Sequence, residues 1–196
     1  MLQNDYFIIE RENNDNYPLF SWDQTADEFG LGAPAEFIAP VKLRLRDPIT
    51  PKFEWVDYHQ LPDPVVSPSL ANVFSKLHIY GIQLIPALVA HYATPFSEPQ
   101  NYVFIHVWNR IACLDRDNSE LECNRDGTRI FGIQKLVLNE NVLHSTPLSN
   151  RLIFELEEKS SVLLVHASLK DAIEAVSPKG CRFFKVSDWN SDSSFK

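Results

Sequence analysis

Acid–base and metal chemistry need imidazoles, carboxylates or thiolates held at fixed separations, and this sequence scatters them. Its histidines, at positions 59, 78, 91, 106, 144 and 166, form no His-Glu-x-x-His signature and no pair spaced four apart. The densest run of carboxylates is Asp115, Asp117, Glu120, Glu122 and Asp126. Hydrolytic carboxylate pairs sit at a set distance on a rigid frame. These acids fall among Asn and Gly residues that punctuate loops, so a solvated loop is expected. Ser119, four residues after Asp115, is placed to bond back to that carboxylate and pin the turn. Cys113, Cys123 and Cys181 are odd in number, and a Cys113–Cys123–His106 metal set would lack a fourth ligand at zinc spacing. His106 stands in an apolar run, where a histidine reads as a hydrogen-bonded core group. Nucleophile-elbow, P-loop and dinucleotide-glycine motifs are missing. The expectation is a non-enzyme with no metal and no cofactor. An enzyme alternative would rest on His106 together with the acidic loop.

The elements that must position any site are easier to read. The sequence has 196 residues, 44% of them hydrophobic and 12% aromatic, enough for one packed domain. "YFII" reads as a strand, and Val41, Leu43 and Leu45 alternate with Lys42, Arg44 and Arg46 as in a half-buried strand. Residues 102–108 are apolar on both parities apart from His106, which predicts a central strand covered on two faces. Residues 152–156 alternate, with Leu152, Phe154 and Leu156 inward. Residues 77–97 hold no Lys, Arg, Asp or Glu, but Gly81, Gln83, Pro86, His91 and Pro95 interrupt them, so a helix end and a strand are expected rather than a membrane span. The first residues carry neither the basic nor the long apolar region of a signal peptide.

One pattern occurs twice. Leu70, Val73, Phe74 and Leu77 mark one face of a helix, and Leu169, Ala172, Ile173 and Val176 repeat it 99 residues on. Ser67 followed by Pro68 predicts a helix start. Gly81 and Gly180 coincide, each suited to a left-handed turn after the helix. "IQLI" and "CRFF" then read as strands, with Gln83 and Arg182 outward. The fold expected is α+β, a mixed and largely antiparallel sheet built on two strand–helix–Gly–strand units at residues 66–87 and 165–186. Residues 1–50 are expected as acidic strands and loops ahead of a core at 51–196. Every shared position has a structural purpose; the repeat builds a frame.

Charge is distributed unevenly. The net charge is −8, and residues 1–36 hold eight acids against one base. That balance argues against nucleic acid as a partner. Within this segment Trp22 is flanked by Asp23, Asp27 and Glu28, an aromatic anchor inside an acidic rim. Asp115, Asp117 and Glu120 form a second acidic candidate.

The order of parts resembles a bacterial family. "LPDPVVSPSLANVFSKLHIYGIQLIPALV" is similar to its first unit. "NYVFIHVWNRIACLDRDNSEL" is similar to its central strand, with Asn109, Asp115 and Ser119 in the expected places. "IQKLVLNENVLHSTPLSNRLIFELEEKSSVLLVHASLKDAIEAVSPKGCRFFKV" is similar to its closing module, with Phe154, Leu169, Gly180 and Phe183 matching. The family is immunity protein eleven of bacterial polymorphic toxin systems, and the likeness covers residues 55–186. Ser177-Pro178, ahead of Gly180, departs from the pattern at the helix end. The resemblance implies a cytoplasmic antitoxin that binds a cognate toxin domain without catalysis. The acidic balance adds a basic toxin, such as a nuclease, as the partner; no membrane partner is expected.

Overall fold

The computed structural model describes residues 2–30, 32–37, 39–91 and 98–193. Two sheets carry the fold. The five-stranded sheet runs β13 (Cys181–Lys185), β1 (Tyr6–Arg11), β12 (Lys159–His166), β11 (Ile153–Leu156), β8 (Arg110–Ile111). The six-stranded sheet runs β2 (Phe20–Trp22), β3 (Val41–Leu45), β6 (Ile82–Ala90), β7 (Gln100–Val107), β5 (Val65–Val66), β4 (Tyr58–His59). A ribbon of β9 (Glu120–Cys123) and β10 (Ile130–Lys135) stands apart. Only the β8–β11 and β3–β6 pairings are parallel among the described residues. The fold is α+β with mixed, largely antiparallel sheets.

The two units are related at the level of elements. In the first, β5 leads into α1 (Pro68–Ser75), then Gly81 and β6, and β7 inserts antiparallel between β5 and β6. In the second, β12 leads into α3 (Ala167–Glu174), then Gly180 and β13, and β1 inserts antiparallel between β12 and β13. The correspondence extends to a hydrogen bond. Trp108 N, just past β7, donates to Gly81 O at 2.9 Å, and Glu12 N, just past β1, donates to Gly180 O at 2.8 Å. The N-terminal segment is therefore no appendage, because β1 is an inner strand of the second unit.

Packing follows the period-2 alternation of the strands. Ile9 of β1, Ile105 and Val107 of β7, and Leu163 and Val165 of β12 share one core with Leu70 and Phe74 of α1 and Leu169 and Ile173 of α3. Their neighbours face away. Tyr6, Ile8 and Leu164 join Phe154 and Trp189 under the ribbon and α2 (Glu140–Ser145). Tyr102 and Phe104 join Leu43, Val89, Phe20 and Phe29. β7 is thus covered on both faces as the sequence predicts, and β3 keeps its predicted alternation.

Several expectations are corrected. Ser67 Oγ accepts from Leu70 N at 3.2 Å and caps α1 as predicted, but both helices stop early, at Ser75 and Glu174. Val176 lies beyond the second helix and is exposed, so it belongs to no stripe. Ser177 takes φ +48, which turns the chain before Pro178. Gly81 and Gly180 have φ +81 and +95, yet each sits directly before a strand rather than at a helix end. A Cβ at Gly81 would collide with Asn109, and one at Gly180 would approach Tyr58 O at 2.6 Å. Close backbone approach dictates these glycines as much as handedness does. Gln83 and Arg182 do not point idly outward. Gln83 exchanges two hydrogen bonds with the backbone of Ala35, and Arg182 donates to Arg11 O and Ser193 O. Leu152 is only half-buried while Ile153 is buried, so β11 is covered on both faces. The acidic loop contains β9, and the segment after it forms a separate ribbon and the unforeseen α2. Among the described residues no helix is long and apolar enough to cross a membrane; residues 92–97 of the uncharged stretch lie outside them.

Candidate partner-binding site

The chain passes from one sheet to the other in two residues, Trp108 and Asn109, between β7 and β8. Asn109 is buried and fastens this crossing. Its Nδ2 donates to Asn150 O at 2.7 Å and Ile153 O at 3.2 Å, and its backbone N donates to Gly81 O. A seam with a cavity on one side and an aromatic shelf on the other lies along this crossing.

The cavity measures about 140 Å³ and is lined from both sheets. His106 and Val107 come from β7, Glu155 from β11, and Ser160, Ser161 and Leu163 from β12, while Phe29 and the 60–64 loop close it. Glu155 Oε2 accepts from Arg110 Nε at 2.9 Å. Burial raises the Glu155 carboxyl and the Arg110 guanidinium draws it back. Asp63 stands between Pro62 and Pro64 with no hydrogen bond or ion pair among the described residues. Burial, with the negative charge of Glu155 added, pushes its carboxyl up to about 7. His106 is 3% exposed, and its Nε2 donates to Ala33 O at 2.8 Å. Burial lowers the affinity of this ring for a proton, so the imidazole is neutral at pH 7. Together Gln83 and His106 hold residues 33–35 over the sheet.

Arg110 and Glu155 form the wall between this cavity and the aromatic shelf. On the far side Tyr80 and Trp108 meet edge to face at 4.9 Å, and they line an open depression with Gly32, Arg110 and Glu157. Tyr80 is 47% exposed. Arg110 Nη2 also donates to Gly30 O at 3.4 Å, which ties the covering loop to the ion pair.

The residues expected to bind a partner divide. Trp22 is half-buried and stacks on Phe29 at 5.5 Å with an interplanar angle of 2°, inside the cover of the six-stranded sheet. Tyr6, Phe20 and Phe29 are core. Asp23 and Asp27 are exposed, and the Glu28 side chain lies outside the described residues. Glu10 and Glu12 of this segment do structural duty. Glu10 is buried and accepts from Trp189 Nε1 at 2.7 Å, and Glu12 accepts from Gly180 N. Asp115 accepts from Asn118 N and Nδ2, and those bonds hold its carboxyl below the usual range. Ser119 does not reach that carboxylate. It donates to Val137 O at 3.3 Å and accepts from Val137 N at 3.0 Å. Asp117 and Glu120 are exposed. The loop packs through Leu114 and Leu121 on the five-stranded sheet, whereas His106 and Trp22 belong to the six-stranded one. The pairing of His106 with that loop therefore fails, and so does a Cys113–Cys123–His106 set. Among the described residues no group of three possible metal ligands forms.

Sequence reasoning missed Asp63, Glu155, Arg110 and the Tyr80–Trp108 pair. Asp63 carried a signal: a lone acid enclosed by two prolines just before the buried pair Val65 and Val66. The pairing of Arg110 with Glu155 had none, since 45 residues separate them.

No curated protein matches the chain. A family model does, over residues 28–188, and takes in the whole seam together with Phe29, Glu28 and the acidic loop; on that match the chain belongs to the immunity protein family (Imm11).

Proposed function

We propose that the protein is a cytoplasmic immunity protein of a bacterial polymorphic toxin system, binding the effector domain of a cognate toxin and neutralising it by covering its working surface. The observation that carries this reading is the family match over residues 28–188. Physical chemistry adds the character of the partner. A chain of net charge −8 with Asp23, Asp27, Asp117 and Glu120 exposed favours a basic surface, as on a nuclease domain, and disfavours nucleic acid. The exposed Tyr80 beside Trp108 and Arg110 supplies the residue types that dominate binding energy at interfaces. The reading is tested by expressing the toxin encoded beside this gene in cells with and without the protein. Survival only in its presence supports it. Equal killing in both contradicts it.

A second reading has one observation in its favour. Asp63, with its carboxyl raised to about 7, shares a cavity with Glu155 and His106, and raised carboxyls of this kind serve as general acids. Turnover on a panel of hydrolase and transferase substrates, abolished by Asp63→Asn, would favour it. No turnover on that panel leaves the binding role standing.

A further inference from the structure

Resting on the toxin-binding role, the geometry points to the contact that the partner makes: we propose that the cavity between β7, β11 and β12 is the receptor for one basic side chain, arginine or lysine, presented by the partner. Two carboxyls from separate parts of the chain converge on this cavity. Glu155 is committed to Arg110 through Oε2 alone, and among the described residues its Oε1 has no donor. Asp63 has no partner at all among them. A buried carboxylate without a cation is costly, and folds keep such groups paired or neutral. Glu155 already has the Arg110 guanidinium and Asp63 is half-buried, so the carboxyl without a cation is that of Asp63, and a guanidinium or ammonium between the two acids would supply one. An anion would be repelled, and a neutral group would leave the charge uncompensated. The walls fit the rest of such a side chain. Val107 and Leu163 offer apolar surface to a methylene stem, and Phe29 lines the same cavity. Size agrees as well: about 140 Å³ suits one side chain, below the roughly 300 Å³ at which small-molecule pockets begin. Arg110 is the positioning residue, since it holds Glu155 from behind and ties the cavity wall to the loop at Gly30.

The test uses the full chain and two probes, the capped tripeptide Gly-Arg-Gly and its citrulline counterpart, which differ by one charge at nearly equal shape. Each is titrated to about 20 mM while backbone amide resonances are followed. The arginine probe is expected to shift the amides of Asp63, Glu155, Ser160 and Ser161 saturably, and the citrulline probe to bind at least about tenfold more weakly, the loss of one charge-assisted contact. Asp63→Asn is expected to abolish that preference without lowering the melting temperature. Equal binding of both probes, no saturable shift at these amides, or an unchanged preference in Asp63→Asn would each overturn the proposal. Rescue in the co-expression experiment is a separate readout. Rescue without arginine binding overturns this contact alone, and arginine binding without rescue strikes the toxin-binding role instead.

Discussion

Asp63 shows how a single residue trades stability for a vacancy of charge. Its carboxyl ordinarily titrates near 3.8 and in the fold at about 7, so between those values the folded state binds more protons than the unfolded. Stability must therefore fall as pH rises from about 4 to about 7, and level off above. Partial exposure at the cavity mouth lets water screen some of this penalty. Asp63→Asn removes the titration. We expect a higher melting temperature than the parent at about pH 8 and a flatter stability profile from about pH 4 to about pH 7, read by thermal unfolding across that range. A lower melting temperature at pH 8 would mean that the carboxylate is already compensated. His106 titrates the other way. Burial favours its neutral ring, and Nε2 anchors Ala33. His106→Ala should cost about 1–3 kcal/mol of stability in denaturant unfolding, as loss of a buried hydrogen bond with its packing does. Little of this was legible in the sequence. A histidine in an apolar strand could be read as satisfied, but its partner lies 73 residues away and no local rule names it.

At the scale of elements the sequence was far more informative, because helix faces and strand alternation are local signals. The repeated stripe, the Ser67 cap, the half-buried β3 and the two-faced β7 all follow from periodicity. What stayed hidden was the third strand of each unit. β7 lies in sequence just after its unit, but β1 lies more than 150 residues before its own, and no periodicity reports that pairing. The acidity of residues 1–36 then looked like a surface property, although Glu10 and Tyr6 are buried within β1. Helix ends failed for another reason: Leu77 and Val176 extend the apolar spacing beyond the last helical hydrogen bonds. The glycines test the relation between units. Gly81→Val and Gly180→Val each force a β-branched residue to positive φ against Asn109 or Tyr58. Each should destabilise by at least about 3 kcal/mol in denaturant unfolding. An unchanged midpoint in either would remove the constraint assigned to that glycine.

One crossing between the two sheets is only two residues long, and the Arg110–Glu155 ion pair and the exposed Tyr80 stand beside it. Exposed acids act over distance, so replacing Asp23 and Asp27 with Asn should slow association with a basic toxin and weaken its salt dependence, measured by stopped-flow mixing at several ionic strengths. Trp22→Ala behaves differently, since Trp22 stacks within the cover of the six-stranded sheet. It should lower stability by about 3 kcal/mol and change association little. The central claim is protection by binding, one protein covering one toxin, and the most direct measurement titrates the purified protein against a fixed amount of active toxin. Occlusion predicts residual toxin activity falling linearly to zero at one equivalent, with no dependence on preincubation time once binding is complete. Full inactivation by a small fraction of an equivalent, growing with time, would contradict the account and identify the protein as a catalyst that destroys its target.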